Sequence, residues 1–176
     1  MRFKSILFKL LNSILSRLSN LPDNIRYLKF CHSESNYFIL PGLTFFNGKE
    51  TYLYGKGSLH IGQNTYCGSR CGIYVAQGYT CRIGSNTAIS HNVRIYTSNR
   101  NPNDIINSQP FTSEIFGDVV IGDNCWIGAN VFISQGIEIG DNVVIGANSV
   151  VSKSIASYSI AVGAPIKVIK KGMLHK

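Results

Sequence analysis

Residues 121–156 read IGDNCW, IGANVF, ISQGIE, IGDNVV, IGANSV and VSKSIA. An aliphatic side chain opens each block: Ile121, Ile127, Ile133, Ile139, Ile145 and Val151. Four places later stands a second small or β-branched residue: Cys125, Val131, Ile137, Val143, Ser149 and Ile155. A helix brings its apolar residues round roughly every three to four positions and a strand every two, so a period of six suits neither alone. A short strand, a tight turn and another short strand satisfy it, with Gly and Asn supplying the turn angles. Self-similarity at a fixed period marks a solenoid.

Working outward, the same spacing begins weakly near Leu53 and firms up at Ile61, Cys67 and Ile73. Extra residues around Gln77-Gly78-Tyr79-Thr80 break it, and it resumes at Ile83, Ile89 and Ile95. Residues 99–117, NRNPNDIINSQPFTSEIFG, have no period at all. An insertion in a tight solenoid must leave the barrel as a loop, and long loops carry function disproportionately.

The 176 residues, 44% of them hydrophobic, make room for one domain with a sizeable core. A net charge of +8 suits an anionic partner. Nucleic acid is not expected, because no helix-turn-helix, finger or aromatic single-strand platform is present. The five cysteines, Cys31, Cys67, Cys71, Cys81 and Cys125, are odd in number and irregularly spaced, which argues against a disulfide framework and for a reducing compartment. Cys67, Cys71 and Cys125 fall on core positions, where a free thiol acts as a small hydrophobe, and no metal is expected.

Residues 1–20 place Phe3, Ile6, Leu7, Leu10, Leu11, Ile14, Leu15 and Leu18 on one helical face, with Arg2, Lys4, Lys9 and Arg17 and no acid. The run is too short to span a membrane and lacks a cleavage site. It reads either as a helix packed on protein or as a basic amphipathic helix lying on an anionic membrane surface. Pro22 ends it. Phe38, Ile39, Leu40, Leu43, Phe45 and Phe46 suggest short strands that cap the first coil. The expected organisation is therefore an N-terminal helix and cap over 1–50, a β-solenoid over 51–162 with a loop at 99–117, and a basic tail over 163–176.

These repeats resemble the hexapeptide-repeat acyltransferases. The resemblance implies a left-handed parallel β-helix with three flat walls, a hand that opposes the usual crossover rule and does not follow from period alone. Gly163, Ala164, Pro165, Ile166, Lys167, Val168, Ile169 and Lys170 resemble the family's ending. The likeness covers residues 50–171 and points to the maltose, galactoside and polysaccharide O-acetyltransferases.

Moving an acyl group from a thioester to a hydroxyl needs a base, donors for the oxyanion and a positioned carrier. Of the four histidines, His175 lies at the end of the chain, His32 precedes the repeats and His60 abuts the inward Ile61. His91 lies on the coil before the loop, where the family keeps its active site, and imidazole suits proton transfer near neutral pH. The family's own base is a histidine in a motif like Ile-Tyr-Thr, two residues, His-Pro. Here Ile95, Tyr96 and Thr97 are followed by Ser98, Asn99, Arg100, Asn101 and Pro102, with Arg100 or Asn101 where that histidine would stand. Arginine cannot act as a base at neutral pH. Either His91 has taken over, or no protein base operates, or the chain is inactive. Asn99, Arg100 and Asp104 are acceptor-site candidates.

Alternation turns Trp126 outward, and the resemblance puts this tryptophan beside the acceptor and pantetheine groove between subunits. It also implies that Ala129 and Ala147 meet the pantetheine arm, that Ser152 and Lys153 lie near the nucleotide, and that Lys167 and Lys170 hold coenzyme A phosphates. Lysine suits that last task as a point charge for strongly anionic groups.

The expected activity is an acetyl-CoA-dependent O-acetyltransferase acting on a sugar or lipid-linked saccharide in surface polysaccharide assembly. It would work as a cytoplasmic homotrimer, with residues 1–20 able to touch the inner membrane face. N-acetylation of an amino sugar nucleotide and a non-catalytic β-helix scaffold are the alternatives.

Overall fold

In the computed structural model, residues 37–39, 48, 50–108, 110 and 113–172 are described, within one compact unit, Glu34–Lys176. The expected helix over 1–20, His32, Cys31 and His175 lie outside the described residues.

Short strands build three parallel walls, visited in turn. The first wall holds β1 (Tyr37–Ile39), β3 (Ser58–Ile61), β6 (Thr80–Ile83), β11 (Val119–Ile121) and β14 (Glu138–Ile139). The second holds β4 (Tyr66–Cys67), β7 (Ala88–Ile89), β12 (Trp126–Ile127), β15 (Val144–Ile145), β17 (Ser159–Val162) and β18 (Lys167–Lys171). The third holds β2 (Tyr52–Gly55), β5 (Gly72–Val75), β8 (Arg94–Tyr96), β13 (Phe132–Ile133) and β16 (Val150–Val151). Strand β1 pairs in register with β3, extending the first wall at the N-terminal end.

The six-residue period becomes one inward side chain per wall. Ile61, Ile83, Ile121 and Ile139 stack along the first wall. Cys67, Ile89, Ile127, Ile145 and Ala161 do so along the second, and Leu53, Ile73, Ile95, Ile133 and Val151 along the third. Apart from Leu53, all are buried. Burying one such aliphatic side chain contributes about 1.5–3 kcal/mol, against roughly 1 kcal/mol net for a hydrogen bond, so each ladder side chain outweighs any single hydrogen bond between coils. Cys67, Cys71, Cys81 and Cys125 are buried free thiols.

The corners explain the rest of the hexad. Asn64, Asn86, Asn92, Asn124, Asn130, Asn142 and Asn148 adopt left-handed backbone angles, which asparagine tolerates better than most residues. Their amides also stack, Asn92 on Asn130 and Asn130 on Asn148, both at 2.9 Å. At the corner between the first and second walls, the amide of each turn donates to the side chain above it in the next coil. Gln63 donates to Ser85 Oγ (3.1 Å), Ser85 to Asp123 Oδ1 (2.6 Å), Asp123 to Asp141 Oδ1 (2.8 Å) and Asp141 to Ser157 Oγ (2.9 Å). That geometry requires glycine in front: a Cβ on Gly84 or Gly122 would collide with Asp123 Oδ1 or Asp141 Oδ1.

Strand β9 (Ser98–Arg100) pairs antiparallel with β10 (Glu114–Phe116) as a hairpin, and a short helix α1 (Pro102–Ile106) lies between them in the chain. The aperiodic stretch therefore has structure that its sequence pattern does not show. The segment expected as a tail turns over residues 163–166 and then forms β18, which folds back antiparallel on β17 and closes the edge of the second wall.

Candidate active site

His91 sits in the turn between the second and third walls. Its Nδ1 accepts the Ser69 N–H at 2.9 Å, and a Cβ on Gly68 would come within 2.7 Å of both Nδ1 and the His91 backbone nitrogen. It does for Ser69 what Asp123 does for Ser85. With Nδ1 accepting, the neutral ring carries its proton on Nε2 and presents a donor there.

In the next coils of the same column stand Ala129 and Ala147: Asn130 N–H donates to His91 O (3.0 Å) and Asn148 N–H to Ala129 O (2.8 Å). Alanine has no acceptor to offer the turn of the preceding coil. Among the described residues, no side chain accepts from the amides of His91 and Ala129, in contrast to the first corner, where the amides of Gln63, Ser85, Asp123 and Asp141 are each capped. This corner leaves backbone donors for an outside acceptor.

The adjoining outer face of the second wall carries a row whose aromatic members, Tyr66 and Trp126, are exposed and whose Ala88, Val144 and Ile160 are half-buried. Tyr66, Ala88, Trp126, Val144 and Ile160 are in register across the strands, and Lys170 follows opposite Ile160. Trp126 is 58% exposed. Three strand spacings separate it from Lys170, about 14 Å. An aromatic end, an apolar middle and a cationic end thus lie in one line, beside the column of His91, Ala129 and Ala147. Lys167 stands on the same strand, opposite Val162.

The remaining candidates lie elsewhere on the chain. Ser152 and Lys153 follow β16, at the corner between the third and first walls. The hairpin of Asn99 and Arg100 leaves the barrel at that same corner, where Tyr79 stacks on Phe116 (ring centroids 5.1 Å apart, 8° between planes). Arg100 is paired with Glu114 across the hairpin. Asp104 is used internally, accepting from Ser113 N (3.0 Å) and Ser113 Oγ (2.9 Å). Asn101, which sequence placed near the missing base, caps α1: its side chain accepts from Asn103 N at 3.0 Å. One copy therefore gathers His91, Trp126, Ala129, Ala147, Lys167 and Lys170 on one side, and holds Asn99, Arg100, Asp104, Ser152 and Lys153 across the width of the third wall. His60 stands on the first wall opposite Arg82; burial, and then the Arg82 charge, push its imidazole below the usual range.

Sequence reasoning missed the unsatisfied corner. The signal was present as Ala129 and Ala147 at the hexad position held by Ser85, Asp123 and Asp141 in the neighbouring column. Reading it required knowing which turn lies above which. Among the described residues no cluster of three metal-ligating side chains occurs, and no helix is long and apolar enough to cross a membrane.

Residues 118–153 match the family described as bacterial transferase hexapeptide (six repeats). The crystal structure of a maltose O-acetyltransferase from Clostridium difficile 630 aligns at 38% identity and a TM-score of 0.58, over 72% of this chain and 68% of that one. The chain belongs to the hexapeptide-repeat acyltransferases. The galactoside O-acetyltransferase of Escherichia coli strain K12 is 29% identical over 121 residues, 68% of this chain. The match spans 57% of that enzyme's length, and 58% of two further curated relatives. A galactoside acetyltransferase solved with coenzyme A aligns at 27% identity and a TM-score of 0.59, over 86% of this chain and 80% of that one. Likeness to solved hexapeptide-repeat acyltransferases also carries the left-handed sense of the winding, because coils of opposite hand do not superpose.

Proposed function

We propose that this chain moves an acetyl group from acetyl-coenzyme A to a saccharide hydroxyl, in surface polysaccharide assembly, as a homotrimer. The observation that carries the reading is the line from Trp126 through Val144 and Ile160 to Lys170 beside the uncapped corner. The sugar acetyltransferases among its relatives support a saccharide acceptor.

The residues fit the coenzyme. Lys167 and Lys170 are exposed cations for its phosphates. The amides of His91 and Ala129 are donors for the amide carbonyls of the pantetheine arm, and Trp126 packs against the arm's reactive end. When bound, acetyl-coenzyme A supplies an activated acyl carbon and a sulfur leaving group. The acceptor oxygen bonds to that carbon, the carbon–sulfur bond breaks, and the proton lost by the acceptor leaves on the coenzyme thiol.

Asn99, Arg100, Asp104, Ser152 and Lys153 stand at the opposite edge of the third wall, so a neighbouring copy must bring them to the groove. That is the physical reason for the trimer, and light scattering that gives a monomer would remove it. The amine alternative has its own support: Asn101 is spent as a helix cap near the position of the family's base, and a neutral amine needs less activation than a hydroxyl. Contact of residues 1–20 with the inner membrane face belongs to the same reading, with a lipid-linked saccharide as acceptor.

The test is thioester cleavage by purified protein against a panel of sugars, amino sugars and their nucleotides. Transfer to hydroxyls is expected. Transfer to amines alone would select N-acetylation, and no cleavage with any acceptor would leave a binding scaffold.

A further inference from the structure

The His91 turn shows how this corner holds an imidazole ring. Its Nδ1 is bound to the Ser69 N–H at 2.9 Å, and the close seat over Gly68 fixes the ring against the backbone. In the first corner the same task is done by Ser85, Asp123, Asp141 and Ser157, which accept through one atom and offer no outward nitrogen. Histidine differs because its second nitrogen lies across the ring, and the residue is exposed. Accepting at Nδ1 obliges Nε2 to carry the hydrogen. That hydrogen points away from the backbone at the head of the column whose next members are Ala129 and Ala147.

We propose that His91 is a hydrogen-bond donor in acyl transfer, its Nε2–H held for the thioester carbonyl oxygen, and not the base. The proposal rests on the reading of this corner as the pantetheine groove. As negative charge grows on the carbonyl oxygen, a fixed donor stabilises the transition state more than the ground state. His91 neither gains nor loses a proton in the step. Seating by Ser69 keeps the ring from rotating, so no reorganisation is needed when charge develops.

Three variants separate donor, base and scaffold. His91→Asp keeps an acceptor for Ser69, as Asp123 does for Ser85, but has no donor. His91→Asn keeps both an acceptor and a donor. His91→Ala has neither. Losing one such donor typically costs about a hundredfold to a thousandfold in turnover. That loss is expected in both the Asp and Ala variants, with the Michaelis constant for acetyl-coenzyme A nearly unchanged, while His91→Asn stays within about tenfold of wild type. His91→Asp at wild-type rate would reduce the residue to a structural cap, and His91→Asn as slow as His91→Ala would restore the base; either overturns the proposal.

A second measurement does not need turnover. A ketone analogue of acetyl-coenzyme A, labelled with carbon-13 at the carbonyl, should show a downfield shift on binding wild type that disappears in His91→Asp. Imidazole nitrogen-15 spectra should show the Nε2–H tautomer. A carbonyl shift that is the same in both proteins, or an Nδ1–H tautomer, overturns the proposal. Failure of the analogue to bind wild type at all would instead sink the acetyltransferase reading on which the proposal stands, and the proposal with it.

Discussion

Tyr79 lies flat against Phe116, with ring centroids 5.1 Å apart. The pair joins the two places where the period breaks: Tyr79 belongs to the short expansion between β5 and β6, and Phe116 ends the hairpin. Beside them, Asp118 Oδ1 accepts the Thr80 N–H at 2.8 Å. The hairpin is thus fixed at its root by the coil before it. An aromatic pair of this kind contributes about 0.5–1.5 kcal/mol beyond its buried area. Tyr79→Ala should speed amide exchange in residues 114–116 and leave exchange in the solenoid core unchanged. Equal acceleration in both would mean that the hairpin and the barrel open together.

The corner ladder makes a stability prediction. Asp123→Ala removes the acceptor for Ser85 N–H and should cost about 1 kcal/mol, the low end for a lost partner because the site is exposed. Asp123→Asn keeps an oxygen there and should cost less. Chemical denaturation of both variants checks the order, and an Asn variant as unstable as the Ala variant would show that charge, not the acceptor, matters.

Lys167 and Lys170 predict a change confined to the coenzyme. Replacing both with Ala should raise the Michaelis constant for acetyl-coenzyme A and leave that for the acceptor nearly unchanged. Raised ionic strength should narrow the difference from wild type, since exposed charges are screened. Steady-state kinetics at two salt concentrations would measure it. No change in either constant would make the two lysines a solvated edge.

His60 predicts a dependence on pH. Burial, helped by the Arg82 charge, holds its folded-state proton affinity below that of the unfolded chain. The unfolded state then binds more protons, so stability rises with pH through this range and falls as pH drops below the ordinary imidazole value. His60→Gln should flatten that slope. Denaturant midpoints for both proteins at a mildly acidic and a mildly basic pH give the comparison; parallel curves would refute it.

The period of six was enough to assign Cys67, Ile89, Ile127 and Ile145 to buried inward positions, because an inward side chain every sixth place leaves a three-walled solenoid no other register. Free cysteines in the core and the outward Trp126 followed from the same alternation. The hairpin of Ser98–Phe116 and the returning strand Lys167–Lys171 were not legible, because pairing across a turn leaves no hexad signature. Nor was the role of His91. Its partner Ser69 is 22 residues away, Asp123 is 38 from Ser85, and Asn148 is 18 from Asn130. Those offsets differ because each insertion lengthens its own coil. Sequence determined which side chains face inward. Only the tertiary structure decided which turn lies on which, and so which nitrogen of His91 is occupied and which backbone donors beside Ala129 and Ala147 are left open.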